Sequence, residues 1–220
     1  VGRITDLPAG AEPDVTERFE AAFDALAAAG ADIVDVEVPA FTYGLTAYYL
    51  IAPAEASSNL ARYDGVRYGH RVVAPDTDAM YVATRTDGFG AEVKRRILLG
   101  TYALSAGYYD AYYGKAQRVR RLIADDFARA YTRADVLLTP TAPTVAFEIG
   151  AKSDDPLAMY LCDTYTIPSN LAGHPAMSVP FGTGADGLPV GVQVLAPAVG
   201  EATMFAVGAA LERAMGGSGD

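Results

Sequence analysis

Apolar positions recur along the chain with two periods, and the alternation between them lays out the elements. Val1-Gly2-Arg3-Ile4 reads as a short strand, and Val15, Phe19, Ala22, Phe23 and Leu26 then fall on one face of a helix. Asp14 with Glu17 three residues on has the spacing of a capping box at its start, and Gly30 suits its end. Ile33, Val34, Val36 and Val38 form a second strand that stops at Pro39. A strand, helix, strand order of this kind builds a parallel sheet with helices packed on it.

A helical region follows from Gly44 to Leu60, interrupted or bent near Pro53, and then a polar turn at Tyr63-Asp64-Gly65. Residues 61 to 90 are loop-rich, with a short helix predicted from Asp78 to Thr84. Ala91 to Tyr131 is helical in pattern, with breaks predicted at Gly100 and Gly107 and a buried face marked by Val119, Leu122, Ile123 and Phe127. The segment from Asp135 to Pro140 suits a buried strand. Asp155-Pro156 supplies a cap and a first-turn proline for a helix through Leu157, Tyr160, Leu161 and Ile167 to Gly173. Ala176 to Phe181 and Val190 to Leu195 read as adjacent strands, and a last helix runs from Glu201 to Met215 before a floppy Gly-Gly-Ser-Gly-Asp tail. The pattern is that of an α/β fold, a mixed β-sheet covered by α-helices. It shows no internal repeat and no linker, so residues 1–220 read as part of a single domain.

Composition narrows the function classes. Apolar residues are 51% of the chain and charged residues 20%, which suits a globular protein. No apolar run approaches the roughly 18 residues needed to span a bilayer, so no membrane association is expected and the cytoplasm is the expected location. Cys162 is alone and reads as a small buried hydrophobe, and His70 and His174 make no cluster at metal-ligand spacing, so no metal site is expected. A formal net charge of −10 would repel a phosphate backbone, so any RNA would be held by something else.

Four stretches carry a resemblance. They are Tyr48 to Gly69, which contains Glu55, Asn59, Arg62 and Asp64; Gly88 to Thr101, which contains Glu92-Val-Lys-Arg95-Arg96; Gly107-Tyr-Tyr-Asp110-Ala-Tyr-Tyr113; and Asp155 to Asp163 running into Asn170-Leu-Ala-Gly173. Together they resemble the glutaminase subunits of the glutamine-dependent amidotransferases that convert Glu-tRNA(Gln) to Gln-tRNA(Gln), members of the amidase signature family. The likeness runs from Val1 to about Met215 and covers only the second half of such a protein, so the fold it implies is the C-terminal half of an amidase signature fold.

The family's nucleophilic serine, its second serine on a cis peptide and its lysine belong to the half that precedes. Ser57-Ser58 lacks flanking glycines, Gly216-Gly217-Ser218-Gly219 reads as tail, and Lys94, Lys115 and Lys152 have no serine-rich partner loop. No catalytic residue is therefore expected here. Losing the nucleophile of a serine hydrolase removes about six orders of magnitude in turnover, so the 220 residues alone are expected to be inactive, a fragment of a glutamine-hydrolysing parent enzyme.

What the resemblance does carry over is a set of glutamine-binding roles, matched motif to motif onto Tyr48, Arg96 and Asp163. The chemistry fits: the planar fork of arginine donates two parallel hydrogen bonds to a carboxylate, aspartate pairs with an ammonium, and a tyrosine hydroxyl adds a directional bond. Each residue also has a plain structural reading. Arg96 lies four residues after Glu92, the spacing of a surface ion pair, and Arg95, about 100 degrees away on an ideal helix, serves as a control. Asp163 would sit beside an apolar stripe, where a carboxylate demands a partner. Tyr48 could be core, and the choice of Tyr48 over Tyr49 rests on motif alignment. Glu55, Asn59, Arg62 and Asp64 read as a polar network around the pocket. His174 in Gly-His-Pro departs from the family's apolar residue there and is not assigned a catalytic role.

By the same resemblance the parent forms a glutamyl-enzyme and releases ammonia. A tRNA-binding partner subunit uses the ammonia with ATP and Mg, and a small third subunit wraps the interface, giving a heterotrimer. No cofactor is expected in this chain itself. The alternatives are a stand-alone amidase signature hydrolase acting on small amides and an inactive binding fragment.

Overall fold

A computed structural model describes residues 1–216. The Gly217 to Asp220 part of the expected tail lies outside the described residues. The chain divides into two compact units, one made of residues 1–45 with the chain from Val119 onward, the other of residues 46–118.

The first unit is built on a five-stranded sheet: β1 (Gly2–Ile4), β2 (Val34–Val36), β3 (Leu137–Pro140), β4 (Ala176–Thr183) and β5 (Pro189–Leu195). Their order across the sheet is β2-β1-β3-β5-β4. β1 lies parallel to β2 and β3, whereas β5 runs antiparallel to β3 and β4, with Leu137 opposite Leu195 and Pro140 opposite Val192. The sheet is therefore mixed. The first strand, helix, strand unit is parallel as the order of elements predicts.

Alternation along β5 separates two environments. Val192 and Val194, with Leu138 of β3 and Val179 and Phe181 of β4, face a core closed by α1 (Pro13–Ala28) and α8 (Glu201–Gly216). α1 contributes Phe19, Ala22, Phe23 and Leu26, and the Phe19 and Phe23 rings meet edge-on at 5.1 Å. Burying side chains of this size stabilises by roughly 1.5 to 3 kcal/mol each.

Gln193, which points between those valines to the opposite side, is buried and polar. Its Nε2 donates to Thr139 Oγ1 at 2.7 Å and to the Tyr165 carbonyl at 2.9 Å, tying the sheet to the segment ahead of α7 (Ile167–Ala172). Phe41, on a 3₁₀ turn (Pro39–Tyr43), lies 6.2 Å from Phe127 of α5 (Lys115–Ala130) and 6.4 Å from Tyr165. The buried Asp126 of α5 accepts from the Ala40 amide at 2.7 Å and pairs with Arg129.

Several elements differ from expectation for identifiable reasons. α1 starts at Pro13 with Glu12 as the cap residue, which makes no side-chain cap bond, so the expected capping box is absent. The Asp14 carboxylate instead accepts from the Ala185 amide at 2.6 Å and holds the β4–β5 hairpin. β2 is shorter than its apolar run because the chain turns into the 3₁₀ segment. Leu122 is 56% exposed, while Ile123 and Phe127 are buried, so the inner face of α5 is narrower than predicted. The helix expected from Asp155 to Gly173 is two helices, α6 (Pro156–Leu161) and α7. Pro168 has no N–H to continue a preceding helix and sits in the first turn of a new one. Asp155 does cap α6, accepting from the Ala158 amide at 3.0 Å.

The second unit contains α3 (Thr77–Gly88), α4 (Ala91–Ala103) and a π-helical turn (Tyr109–Gly114); α2 (Gly44–Leu60) runs into it and α5 leaves it. α3 is longer than predicted, and α2 continues through Pro53 without interruption. Gly107, at φ +87°, lies in the break after α4, as expected. Gly100 is no break. It lies inside α4 against α2, where a Cβ would overlap the Pro53 carbonyl and crowd the Ala54 amide.

His174 completes the packing of the sheet unit. Its ring meets Phe127 at 4.5 Å and Tyr131 at 5.4 Å, both edge-on. Both of its nitrogens and the Tyr131 hydroxyl are buried without a hydrogen-bond partner among the described residues. Burial pushes the imidazole pKa down from 6.5 to about 4.

This packing sets the response to two changes. Gly100→Ala gains up to about 1 kcal/mol of helix propensity but forces backbone apart, so urea unfolding should show a net loss of about 1 to 3 kcal/mol. For His174, the unfolded chain binds more protons than the folded one between pH 6.5 and about 4, so stability rises with pH across that window. Urea midpoints should correspond to a loss of about 2 kcal/mol from this group on going from pH 8 to pH 5. His174→Phe should remove that part of the slope, and parallel pH profiles for the two proteins would contradict it.

Candidate functional site

The close contact of α4 with α2 at Gly100 and Pro53 has a second effect one turn away. Arg96 lies four residues before Gly100, on the same face of α4, and Tyr48 lies on the stretch of α2 that leads to Pro53. The Arg96 guanidinium donates from Nε to Glu92 Oε1 at 2.9 Å and from Nη1 to the Tyr48 hydroxyl at 3.4 Å. Its Cζ is 5.7 Å from the centre of the Tyr49 ring, which in turn meets Tyr48 edge-on at 5.0 Å. Nη2 makes no hydrogen bond among the described residues. Tyr48 and Tyr49 thus both touch Arg96, the first by its hydroxyl and the second by its ring face.

The electrostatics keep Arg96 charged. Partial burial works against the cation, but the hydrogen bonds to Glu92 and Tyr48 outweigh it and raise its pKa. Arg95 shares the same carboxylate, its Nη1 2.5 Å from Glu92 Oε2, and is more exposed than Arg96, at 49% against 28% of the side chain. The helix geometry that separates the two arginines does not prevent one glutamate from bridging them.

Of the four polar residues expected to form a network, two share one hollow, and the Arg62 amide donates to the Asn59 carbonyl at 3.3 Å. Glu55 and Asn59 line a hollow of about 370 Å³ with Ser58, Leu104, Tyr109 and Tyr113, whereas the Asp64 carboxylate accepts from the Val66 amide at 2.8 Å and shapes a turn.

Asp163 belongs to the sheet unit, in the turn between α6 and α7. It is exposed and does not lie on an apolar helix stripe, contrary to expectation. Its backbone N–H donates to the Tyr160 carbonyl at 3.1 Å and its carbonyl accepts from the Ile167 amide at 3.1 Å. The neighbouring Cys162 is half-buried and not a plain hydrophobe. Lys152 Nζ donates to its Sγ at 3.0 Å and lies 4.2 Å over the Phe147 ring. Both residues line a cavity of about 330 Å³ that Thr164 and Tyr165 also border. Sequence reasoning missed this pair because Lys152 lies in the turn ahead of α6 and Cys162 just past its end, a spacing of ten across a turn and a helix that carries no periodic signal. Among the described residues no group of three His, Cys, Asp or Glu side chains could hold a metal ion, and no helix is long and apolar enough to cross a membrane.

Comparison with known proteins gives the family of the chain. The Amidase family model matches residues 1–205. The chain is 56% identical over 214 residues to the A subunit of the glutamyl-tRNA(Gln) amidotransferase from Maricaulis maris, covering 97% of this chain and 43% of that protein. The counterpart of the same name from Granulibacter bethesdensis is 62% identical over 190 residues, covering 86% of this chain and 38% of that protein. Among solved structures, that of the glutamyl-tRNA(Gln) amidotransferase A subunit from Thermotoga maritima superposes with a TM-score of 0.72 at 41% identity, over 96% of this chain and 41% of the other. The chain thus spans under half the length of these relatives. With the sheet order, the helical unit and the match over residues 1–205 in agreement, the chain belongs to the amidase family.

Proposed function

We propose that this chain is part of the glutaminase subunit of a tRNA-dependent amidotransferase, which hydrolyses glutamine to supply ammonia for converting Glu-tRNA(Gln) to Gln-tRNA(Gln). The observation that carries the reading is Arg96: charged, clamped by Glu92, beside the Tyr48 hydroxyl, and with Nη2 still able to donate. That is half of a guanidinium fork held ready for a carboxylate. In this role Arg96 takes the α-carboxylate of glutamine and Tyr48 adds a bond to the ligand beside it. Asp163, exposed on its turn, takes the α-ammonium. The relatives that carry the amidotransferase name supply the substrate class.

The reaction this serves begins when a serine from the rest of the parent protein attacks the side-chain amide. A glutamyl-enzyme forms, ammonia leaves, and water completes the cycle. These 220 residues then contribute binding and no nucleophile. A partner protein holds the charged tRNA and uses ATP and Mg to activate the misacylated glutamate, and a small third subunit completes the assembly. An acidic chain of net charge −10 is consistent with leaving the RNA to a partner.

The test is steady-state glutamine hydrolysis by the intact parent protein in its assembled complex. Arg96→Ala should lower kcat/KM for glutamine by about 1.5 to 3 kcal/mol, roughly 10- to 150-fold, the worth of a charged hydrogen-bonding contact. Arg95→Ala should change it by less than about threefold, as expected of an exposed pair. A small amide without an α-carboxylate should be hydrolysed equally by the wild type and Arg96→Ala. Equal losses at positions 95 and 96, or equal losses on both substrates, would reject the assignment.

A further inference from the structure

Within the helical unit, the loop that follows α2 is held far more tightly than its own burial warrants. Arg85 of α3 turns Nη2, one of its hydrogens shared, to three carbonyls, that of Leu60 at the end of α2 at 3.0 Å and those of Ala61 at 2.7 Å and Tyr63 at 3.0 Å in the loop. The hydroxyl of Thr84, 1% exposed, accepts from the Val72 amide at 3.0 Å. Tyr63 donates to the His70 carbonyl at 2.8 Å, and His70 Nε2 lies 2.6 Å from Asp87 Oδ2 on α3. Gly65, at φ +65°, lets the His70 carbonyl approach where a side chain would collide.

None of these bonds buries what the loop displays. Tyr68 is 81% exposed, Val73 86% and Val66 51%, and the exposed Arg67 and Arg71 between them form no ion pair among the described residues. The nearest carboxylates along the chain, Asp64 for Arg67 and Asp76 for Arg71, already accept from the Val66 and Ala79 amides. A chain of net charge −10 thus presents, on a fixed scaffold, an aromatic ring flanked by two uncompensated arginines and two valines. Tyrosine and arginine dominate binding hot spots, and fixing a loop beforehand removes the ordering cost of binding.

We propose that residues 66–73 are a docking loop for an acidic, apolar-centred patch on another protein of the amidotransferase assembly. Charge complementarity selects the occupant: the arginines seek carboxylates, and Tyr68 with the valines seeks an apolar pocket. Nucleic acid fits less well, because one ring and two cations are too few for a stacking track and the rest of the chain repels phosphate. The inference rests on the proposed function, which supplies the multi-subunit assembly.

The experiment uses the full-length parent protein, its partner subunits and tRNA. Tyr68→p-benzoylphenylalanine, irradiated in the assembled complex, should crosslink to a partner protein. The double variant Arg67→Ser with Arg71→Ser should weaken assembly at least about tenfold at low salt and lose most of its salt dependence. A crosslink within the same chain, a crosslink to tRNA, no crosslink, or unchanged affinity of the double variant would each overturn the docking role alone. Failure of the unmodified parent to assemble at all would overturn the functional reading and the docking role with it.

Discussion

Backbone contact between α2 and α4 is the constraint on which the helical unit depends. Two helices normally pack 8 to 10 Å apart, with side chains between them. Here a glycine on one meets a proline carbonyl on the other, and the side-chain layer is missing at that point. A proline inside a helix costs roughly 3 kcal/mol or more, and a glycine about 1. The chain accepts both inside elements that could have been regular. What it gains is a short inter-helix distance one turn from Arg96, close enough for a guanidinium to reach a tyrosine hydroxyl across the gap.

The sheet unit solves a different problem, holding an irregular turn in place. Its apolar face is sealed by α1 and α8, and ordinary period-two alternation suffices there. On the other side, Gln193 reaches through the sheet register to the Tyr165 carbonyl, two residues after Asp163. A buried amide left without one of its partners would cost about 1 to 3 kcal/mol, so the bond is specific about where that carbonyl lies. The orphaned nitrogens of His174 and the hydroxyl of Tyr131 show the reverse case. There the rings pack on Phe127 while the polar atoms find no partner among the described residues, and the imidazole responds by staying neutral.

How much of this is legible in the sequence follows from what each feature needs. The inner face of α1, the buried β3 and the β4–β5 pair are readable because each rests on a local period. Gly100 reads as a break because propensity sees only the cost of glycine, whereas its reason lies 47 residues away at Pro53. Asp14 reads as half of a capping box because the pattern is local, yet its carboxylate is engaged with Ala185, 171 residues on. In the candidate site the Glu92–Arg96 pair is visible from its spacing of four, but Tyr48 enters only through the likeness to known amidotransferases. The Lys152–Cys162 contact is invisible, as is the shared use of Glu92 by two arginines.

That sharing bears on how a carboxylate ligand would be received. Glu92 alone with Arg96 would form a neutral pair, and an incoming anion would have to compete with a carboxylate already in place. Arg95, on the second oxygen of Glu92, leaves the trio one positive charge in excess and draws part of the glutamate's claim away from Arg96. Because Arg95 is half exposed, solvent screens that contribution to a few tenths of a kcal/mol. In the proposed role the specific part of recognition would therefore fall on the more buried guanidinium, whose position Tyr48 and Glu92 fix from two sides. Arg95 tunes the field without setting the geometry.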